Sequence, residues 1–221
     1  MIYKIAAAIL ILVIAFISYI FYSNNKGRHR KSSSSKESIS YYKDKDDEVN
    51  SFSTLSKNSL KDNTIKEFFI DKNIILIEDK CFVNCTNLAN IKVHEENNNY
   101  CSKLGVLFSK DMKIIICYPP LKLTSTYFIP QGVEYINSHA FFNNNSIKYV
   151  IIPTSLEYVG ENTFVNCKFL NQIVIPENVK EIHPRAFNLC PRLTIRCYKN
   201  SVAEDYCKEY FIPYEYLDYK K

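Results

Sequence analysis

Apolar residues recur along this chain every 23 residues. The Phe residues at 141, 164 and 187 keep this interval, and so do the Ile-Pro pairs that begin at 129, 152 and 175. Apolar residues in register lie between them, at Val133/Ile136, Leu156/Val159 and Val179/Ile182. A fixed period of 20–29 residues is typical of a solenoid, in which one turn cannot bury its own apolar side and successive turns stack.

A fourth unit lies upstream, separated from the others by an insertion. Its Phe82 precedes Phe141 by 59 residues, which is one period plus 36. The unit has apolar or Cys residues at the same offsets as the other three: Ile74, Ile77, Cys81, Phe82, Cys85 and Leu88.

Each turn is expected to contain two short strands. Leu170, Ile173 and Ile175 alternate with outward residues, which is the period of a strand. Pro176 has no N–H to donate and ends this first strand. Val179 and Ile182 begin the second. The insertion contains two apolar runs around Ser-Lys-Asp at 109–111, which predicts a β-hairpin. Val202–Tyr210 has helical spacing and would cover the last turn.

Three of the eight cysteines share one position of the repeat. Cys85, Cys167 and Cys190 each follow the Phe by three residues, and Asn144 takes that place in the remaining turn. Residues one turn apart along a stack do not converge as four zinc ligands must. Packing is therefore the favoured interpretation, with a disulfide or a metal as alternatives. Cys101–Cys117 and Cys197–Cys207 are conceivable bridges, although sequence does not determine connectivity.

No motif for catalysis is visible. His139 and His183 lie at different offsets from their Phe, so no repeated Cys–His pair forms. Only 4 Gly are present, which leaves little room for a phosphate-binding loop, and the net charge of +5 includes four cations at 26–31. A basic face for nucleic acid is therefore not expected. The prediction is a non-enzyme without cofactor, metal or small-molecule substrate.

These residues resemble a known family. The segments Asn178–Leu193 and Gly132–Phe141 are similar to the BspA-like leucine-rich repeats of microbial surface proteins, and Gly105–Pro119 resembles the hairpin found between such repeats. The resemblance covers about residues 65–217 and departs from the pattern at Asp71, where Pro is expected. It implies a mainly β leucine-rich-repeat solenoid at the cell surface that adheres to host or matrix proteins.

The N-terminal residues predict a membrane segment. Ile5–Tyr22 contains 18 residues without a charge, close to the ~20 that a spanning helix needs. An uncleaved anchor is favoured, and a cleaved signal peptide or a buried core helix is the alternative. Four Lys or Arg follow the run at 26–31 and one Lys precedes it, a bias that favours a cytoplasmic location for the rest of the chain.

The chain thus divides into four predicted parts. Residues 23–58 hold a serine run at 32–35 and a mixed charge run at 43–48, which predicts a disordered linker. The full division is a transmembrane anchor at 1–22, the linker at 23–58, the solenoid at 59–193 with its insertion at about 94–126, and a cap at 194–221.

Candidate binding residues are the outward positions of the strands. The first strands offer an apolar row with a polar row beside it, and the second strands offer two tyrosines. These residues are Phe128, Ile151 and Val174, then Thr126, Tyr149 and Gln172, and finally Tyr135 and Tyr158. An apolar row rimmed by polar residues is typical of a contact face, although β-branched residues also simply favour strands.

Two functions compete at this stage. The first is a single-pass surface protein that displays its repeats outside the cell and binds a host, matrix or cell-surface protein. Asn84 and Asn144 begin N-glycosylation acceptor motifs that would suit this location. The second is a membrane-tethered scaffold that faces the cytoplasm, in agreement with the flanking charges and with cysteines that have the character of core thiols.

Overall fold

The structure is a computed structural model that describes residues 53–56, 60 and 64–217. It contains fifteen short strands and one helix in this part of the chain. The strands are β1 (Ser53–Leu55), β2 (Glu67–Ile70), β3 (Ile74–Ile77), β4 (Asn90–Val93), β5 (Tyr100–Lys103), β6 (Val106–Ser109), β7 (Ile114–Cys117), β8 (Thr126–Phe128), β9 (Tyr135–Ile136), β10 (Tyr149–Ile151), β11 (Tyr158–Val159), β12 (Gln172–Val174), β13 (Glu181–Ile182), β14 (Thr194–Cys197) and β15 (Tyr214–Tyr216), and the helix is α1 (Val202–Glu209).

Two sheets of stacked strands form the main part of the solenoid. One has the order β15-β14-β12-β10-β8, and all its strands are parallel. The other has the order β13-β11-β9-β7-β6-β5. Tyr149 pairs with Gln172 and Tyr135 with Tyr158, so equivalent residues of successive turns are neighbours in register. The predicted solenoid with turns of 23 residues is confirmed.

A ladder of aromatic rings fills the core. Ring centroids lie 4.7 Å apart between Phe141 and Phe164, and 5.2 Å apart between Phe164 and Phe187, with nearly parallel planes. Tyr118 extends the stack at 4.8 Å from Phe141. At the other end Tyr206 of α1 meets Phe187 edge-on. The repeated Phe is buried because each ring lies on the ring of the next turn.

The insertion forms three strands rather than a simple hairpin. The predicted hairpin is present as β6 and β7, and β5 pairs antiparallel with β6 on its other side. Strand β7 then pairs in parallel with β9 and rejoins the solenoid. The edge of β3 meets a side chain instead of a strand, since the Tyr100 hydroxyl accepts from the Ile77 N–H at 2.9 Å and donates to the Ile75 carbonyl.

The described strands extend past both ends of the predicted solenoid. Ser53–Leu55 lies inside the segment expected to be linker, yet it forms β1 and pairs with β3, because Leu55 is fully buried in the N-terminal core. At the other end β14 continues the parallel sheet beyond residue 193, and β15 pairs with it. The predicted helical cap is confirmed as α1, which begins at Val202.

The predicted anchor at 1–22 lies outside the described residues, and so does most of the linker at 23–58. Among the residues that the structure describes, no helix has the length and apolar character needed to cross a membrane.

Candidate binding surfaces

The outer face of the parallel sheet carries the predicted apolar row. Phe128 pairs with Ile151, and Ile151 with Val174, so the three side chains stand beside one another on adjacent strands. Phe128 is the most open, with 67% of its surface exposed, whereas the other two are half-buried. Arg196 of β14 follows Val174 in the same register and ends the row with a charge.

A polar row runs beside the apolar one. Tyr149 pairs with Thr126 on one side and with Gln172 on the other, and Thr194 continues the row. The residues between the two rows, such as Val150 and Ile173, point inward and are fully buried. The face therefore presents aromatic, aliphatic and polar side chains on hydrogen-bonded strands, and the structure brings together all six residues that were predicted on it.

The second sheet carries an ion ladder with two tyrosines. Tyr135 and Tyr158 lie 6.3 Å apart between ring centroids, and the Lys180 ammonium lies 5.9 Å from the Tyr158 ring. Lys180 also pairs with Glu157 at 2.8 Å, as Lys113 does with Glu134. Exposed pairs of this kind contribute little to stability. They do leave the charges of this face largely matched.

The repeated Cys position ties each turn to the one before it. The Cys167 thiol lies 3.1 Å from the Phe141 carbonyl, and the Cys190 thiol lies 2.9 Å from the Phe164 carbonyl. The Asn144 amide donates to the Pro119 carbonyl at 3.1 Å in the same way. These thiols act as small donors in a buried bend, which bears out the packing interpretation.

All eight cysteines are free thiols. Cys101 lies on β5 and Cys117 on β7, with β6 between them. Two strand spacings amount to about 9.6 Å, more than the ~7 Å limit for a disulfide, so the suggested Cys101–Cys117 bridge is wrong. Cys197 and Cys207 are both buried as thiols, and burial raises the pKa of Cys207 to about 12.

No group of three or more His, Cys, Asp or Glu side chains that could hold a metal ion lies among the described residues. The two histidines noted from the sequence do not form a pair with a thiol. His139 stands near Asn162, and its pKa is lowered mainly by burial. His183 accepts from the backbone of Arg185.

The two glycosylation motifs differ in access. Asn84 is exposed. Asn144 is fully buried, and its amide oxygen accepts from the N–H groups of Ser146 and Ile147. Since both ends of that amide are engaged inside the protein, the folded chain does not offer Asn144 to a glycosyltransferase.

Sequence reasoning missed an open groove of about 340 Å³ where three successive turns lead into β10, β12 and β14. Its six lining residues are Asn145, Ser146, Lys148, Phe169, Asn171 and Arg192, and we call it the turn groove. The signal was available, because Ser146, Phe169 and Arg192 are 23 residues apart. The interval shows that these residues are neighbours on successive turns, but it does not show that the chain around them leaves an open groove.

Comparisons with known proteins agree on the fold. A family model described as BspA type leucine rich repeat region matches six copies over residues 47–113 and 117–210. A search of curated proteins finds no match.

Among solved structures, a leucine-rich repeat protein from Eubacterium ventriosum is 28% identical, with a TM-score of 0.59 over 62% of this chain and 37% of the other. The pneumococcal vaccine antigen PcpA is 24% identical, with a TM-score of 0.56 over 62% of this chain and 40% of the other. A leucine rich cell surface protein from Faecalibacterium prausnitzii is 21% identical, with a TM-score of 0.54 over 78% and 53%.

This chain spans roughly a third to a half of the length of those solved proteins. The two below 25% identity are alike in fold alone. The family match covers most of the chain and includes turns on both sides of the insertion. The chain therefore belongs to the family with the BspA type leucine rich repeat region.

Proposed function

We propose that the chain is a membrane-anchored surface protein that binds a protein of the host, the matrix or another cell through the outer face of its parallel sheet. The observation that carries the proposal is the outward row Phe128–Ile151–Val174, in which Phe128 is exposed and the other two are half-buried. It lies in register beside Thr126–Tyr149–Gln172. An apolar row with a polar border on a rigid scaffold is typical of a contact surface.

Location supports the same proposal. The uncharged run at 5–22 followed by a polar segment suits a tethered domain. Relatives of this fold include a protein named as a cell surface protein and one named as a vaccine antigen. We carry this location over to the present chain as part of the proposal.

The size of the face predicts weak binding by a single copy. Five strands at ~4.8 Å spacing, with three or four residues each at ~3.3 Å per residue, cover about 20 Å by about 10 Å. Stable complexes bury about 800 Å² on each partner. We therefore expect weak binding in solution and strong binding when many copies share one surface.

The test compares full chain in solution with full chain coated densely on beads. The probes are fibronectin, fibrinogen, laminin and collagen, each in purified form. We expect at least one of them to bind the beads, and we expect the triple variant Phe128→Thr/Ile151→Thr/Val174→Thr to lose at least tenfold of that binding. Threonine keeps the β propensity of the strands, so the fold is retained.

Leu189→Asn is the matched control, because Leu189 is 70% exposed, lies off the sheet and has a φ of 59°, which Asn tolerates. The control is expected to bind within twofold of wild type. If the triple variant binds as well as wild type, the sheet face is not the contact surface. If none of the four probes binds the beads, adhesion to the matrix is rejected.

The second candidate is a cytoplasm-facing scaffold, which the basic residues after the apolar run and the free thiols favour. A C-terminal tag separates the two candidates. If antibody and protease reach the tag on intact cells, the repeats are outside. If the tag is protected until the membrane is opened, the adhesion proposal fails and the scaffold stands.

A further inference from the structure

The turn groove has two rims made of equivalent residues. One rim is the ladder Ser146, Phe169 and Arg192, and the other contains Lys148 and Asn171. The residues between the two rims in sequence, Ile147 and Leu170, are fully buried in the core. The Arg192 guanidinium lies 5.2 Å from the centre of the Phe169 ring, and Phe169 keeps 41% of its surface exposed. A cation and an aromatic ring are thus presented together to solvent.

Four backbone donors along one rim of the groove are already engaged. The N–H groups of Lys148 and Tyr149 both donate to the Ser125 carbonyl, and the N–H groups of Asn171 and Gln172 donate to the Lys148 carbonyl. A peptide that adds itself as a strand needs an unpaired edge, whereas β10 and β12 are each paired with a strand on both sides. Recognition here depends on side chains.

Charge is distributed unevenly around each turn. The sequence has no Asp or Glu in the segments 142–156, 165–176 and 186–203, which contain the whole groove. The opposite side of the same turns holds the acids, and there Lys113, Lys180 and Arg185 each pair with a glutamate. Within the described part of the chain, no carboxylate pairs with Lys148 or Arg192. Both cations remain available to an anion from solution.

We infer that the turn groove binds an acidic saccharide. Lys148 and Arg192 would hold its sulfate or carboxylate groups, since Arg in particular binds such groups with two parallel donors. The part of the Phe169 ring that stays exposed beside the Arg192 guanidinium supplies apolar area for the C–H side of a sugar ring. The amides of Asn145 and Asn171 and the Ser146 hydroxyl both donate and accept, as sugar hydroxyls require.

This combination of cations, aromatic ring and amides favours an acidic saccharide over a simple anion as the ligand. A simple phosphate or sulfate ion would use the cations but not the aromatic ring or the amides. A volume of about 340 Å³ lies at the lower end of the ~300–1,000 Å³ of small-molecule sites, which suits a short oligosaccharide. The site does not overlap the six residues of the sheet face, so it stands or falls independently of the proposed protein binding.

The test is isothermal titration of the full chain in neutral detergent. The probes are a sulfated tetrasaccharide from heparin, a carboxylated tetrasaccharide from hyaluronan, neutral maltotetraose and hexaglutamate. We expect one acidic tetrasaccharide to bind at least tenfold more tightly than maltotetraose and hexaglutamate, with an affinity that falls as salt rises.

Two variants locate the binding. Arg192→Gln and Phe169→Ala are each expected to weaken the acidic saccharide at least tenfold; both residues are exposed, and circular dichroism checks that the fold is retained. Lys180→Gln is the matched control, since it removes one positive charge from the opposite side of the solenoid, and it is expected to change the affinity less than twofold.

Several results would overturn the inference. Equal losses for Arg192→Gln and Lys180→Gln would mean unspecific attraction to a positive protein. Tighter binding of hexaglutamate would identify an acidic peptide as the ligand, and tighter binding of maltotetraose would remove the role of the cations. Absence of binding by both acidic saccharides would reject the site.

Discussion

At the scale of single residues, the position three after the core Phe joins neighbouring turns. Asn144 makes three bonds there, from its amide to the Pro119 carbonyl and from the N–H groups of Ser146 and Ile147 to its oxygen. The Cys167 thiol bonds to one carbonyl in the same way, beside the Cys190 thiol, and a thiol is a weak donor. Asn144 and Cys167, which hold the same position of the repeat, therefore contribute different amounts to the stability of the fold.

Asn144→Ala is expected to lower the free energy of unfolding by about 3 kcal/mol, because it leaves a buried carbonyl and two N–H groups without partners. Cys167→Ala is expected to cost about 1 kcal/mol, since it removes one weak donor and one buried sulfur. Urea unfolding of the two variants measures the difference. Equal costs would show that the amide bonds are replaced by water or by movement of the turn.

At the scale of elements, the closing helix depends on one buried carboxylate. The Ser201 hydroxyl caps α1 by accepting from the Glu204 N–H at 3.2 Å. The Glu204 carboxylate accepts from the Asn200 N–H, from the Tyr216 hydroxyl at 2.6 Å and from Lys208. One side chain therefore joins the start of α1 to its last turn and to β15. The cap is a single unit rather than a helix laid on the end of the stack.

These partners lower the pKa of Glu204 from 4.5 to about 2, with Lys208 as the largest cause, followed by Tyr216 and the Asn200 N–H. A carboxyl with a lowered pKa in the folded state stabilises it fully above pH 4.5, and that contribution is lost as the pH falls toward 2. Wild type is therefore expected to lose thermal stability from pH 4.5 to pH 2.

Glu204→Gln is expected to be less stable than wild type at pH 6, with the gap closing near pH 2. Thermal unfolding at a series of pH values measures both. Asp205→Asn changes an exposed neighbour on the same helix and is the control for the change of charge. Its difference in stability from wild type is expected to be small at every pH. A constant gap between Glu204→Gln and wild type would contradict the assignment of this carboxyl.

At the scale of the whole described region, the inserted strands form a wall between two cores. Leu107 of β6 and Cys117 of β7 belong to the N-terminal core, whereas Val106, Phe108 and Ile115 belong to the C-terminal core. In β6, successive residues point to opposite faces, so this strand contacts both cores. In β7, Ile115 and Cys117 lie on either side of an irregularity in the pairing with β6. In stacked repeats each unit contacts only its neighbours, and this wall is the natural boundary between cooperative units.

Leu107→Ala is expected to destabilise mainly residues 64–97, and Phe108→Ala mainly residues 114–207, each by about 2–5 kcal/mol. Hydrogen exchange followed by mass spectrometry measures protection segment by segment under native conditions. Loss of protection over both regions in both variants would mean that the two cores unfold as one unit.

Much of this architecture follows from the sequence alone. The spacing of Phe141, Phe164 and Phe187 determines the turn length, and the alternation around Ile173 determines which side chains point inward. Both are local patterns repeated at a fixed interval, and stacking packs each repeat against the equivalent residues of the next. For the same reason the sequence placed Phe128, Ile151 and Val174 in one row, and it identified the Cys position as part of the repeat.

Other features were decided only by tertiary structure. Strand β1 forms inside a polar segment because Leu55 finds a core in another part of the chain. Tyr100 closes the edge of β3, and β5 joins the insertion, through contacts between residues that no local pattern links. The turn groove arises because stacking brings Lys148, Phe169 and Arg192 side by side. Phe169 and Arg192 hold the same position of the repeat, but their unlike types do not by themselves indicate a shared site. Periodicity determines where a side chain stands in the solenoid, but only the folded chain decides which unlike side chains meet.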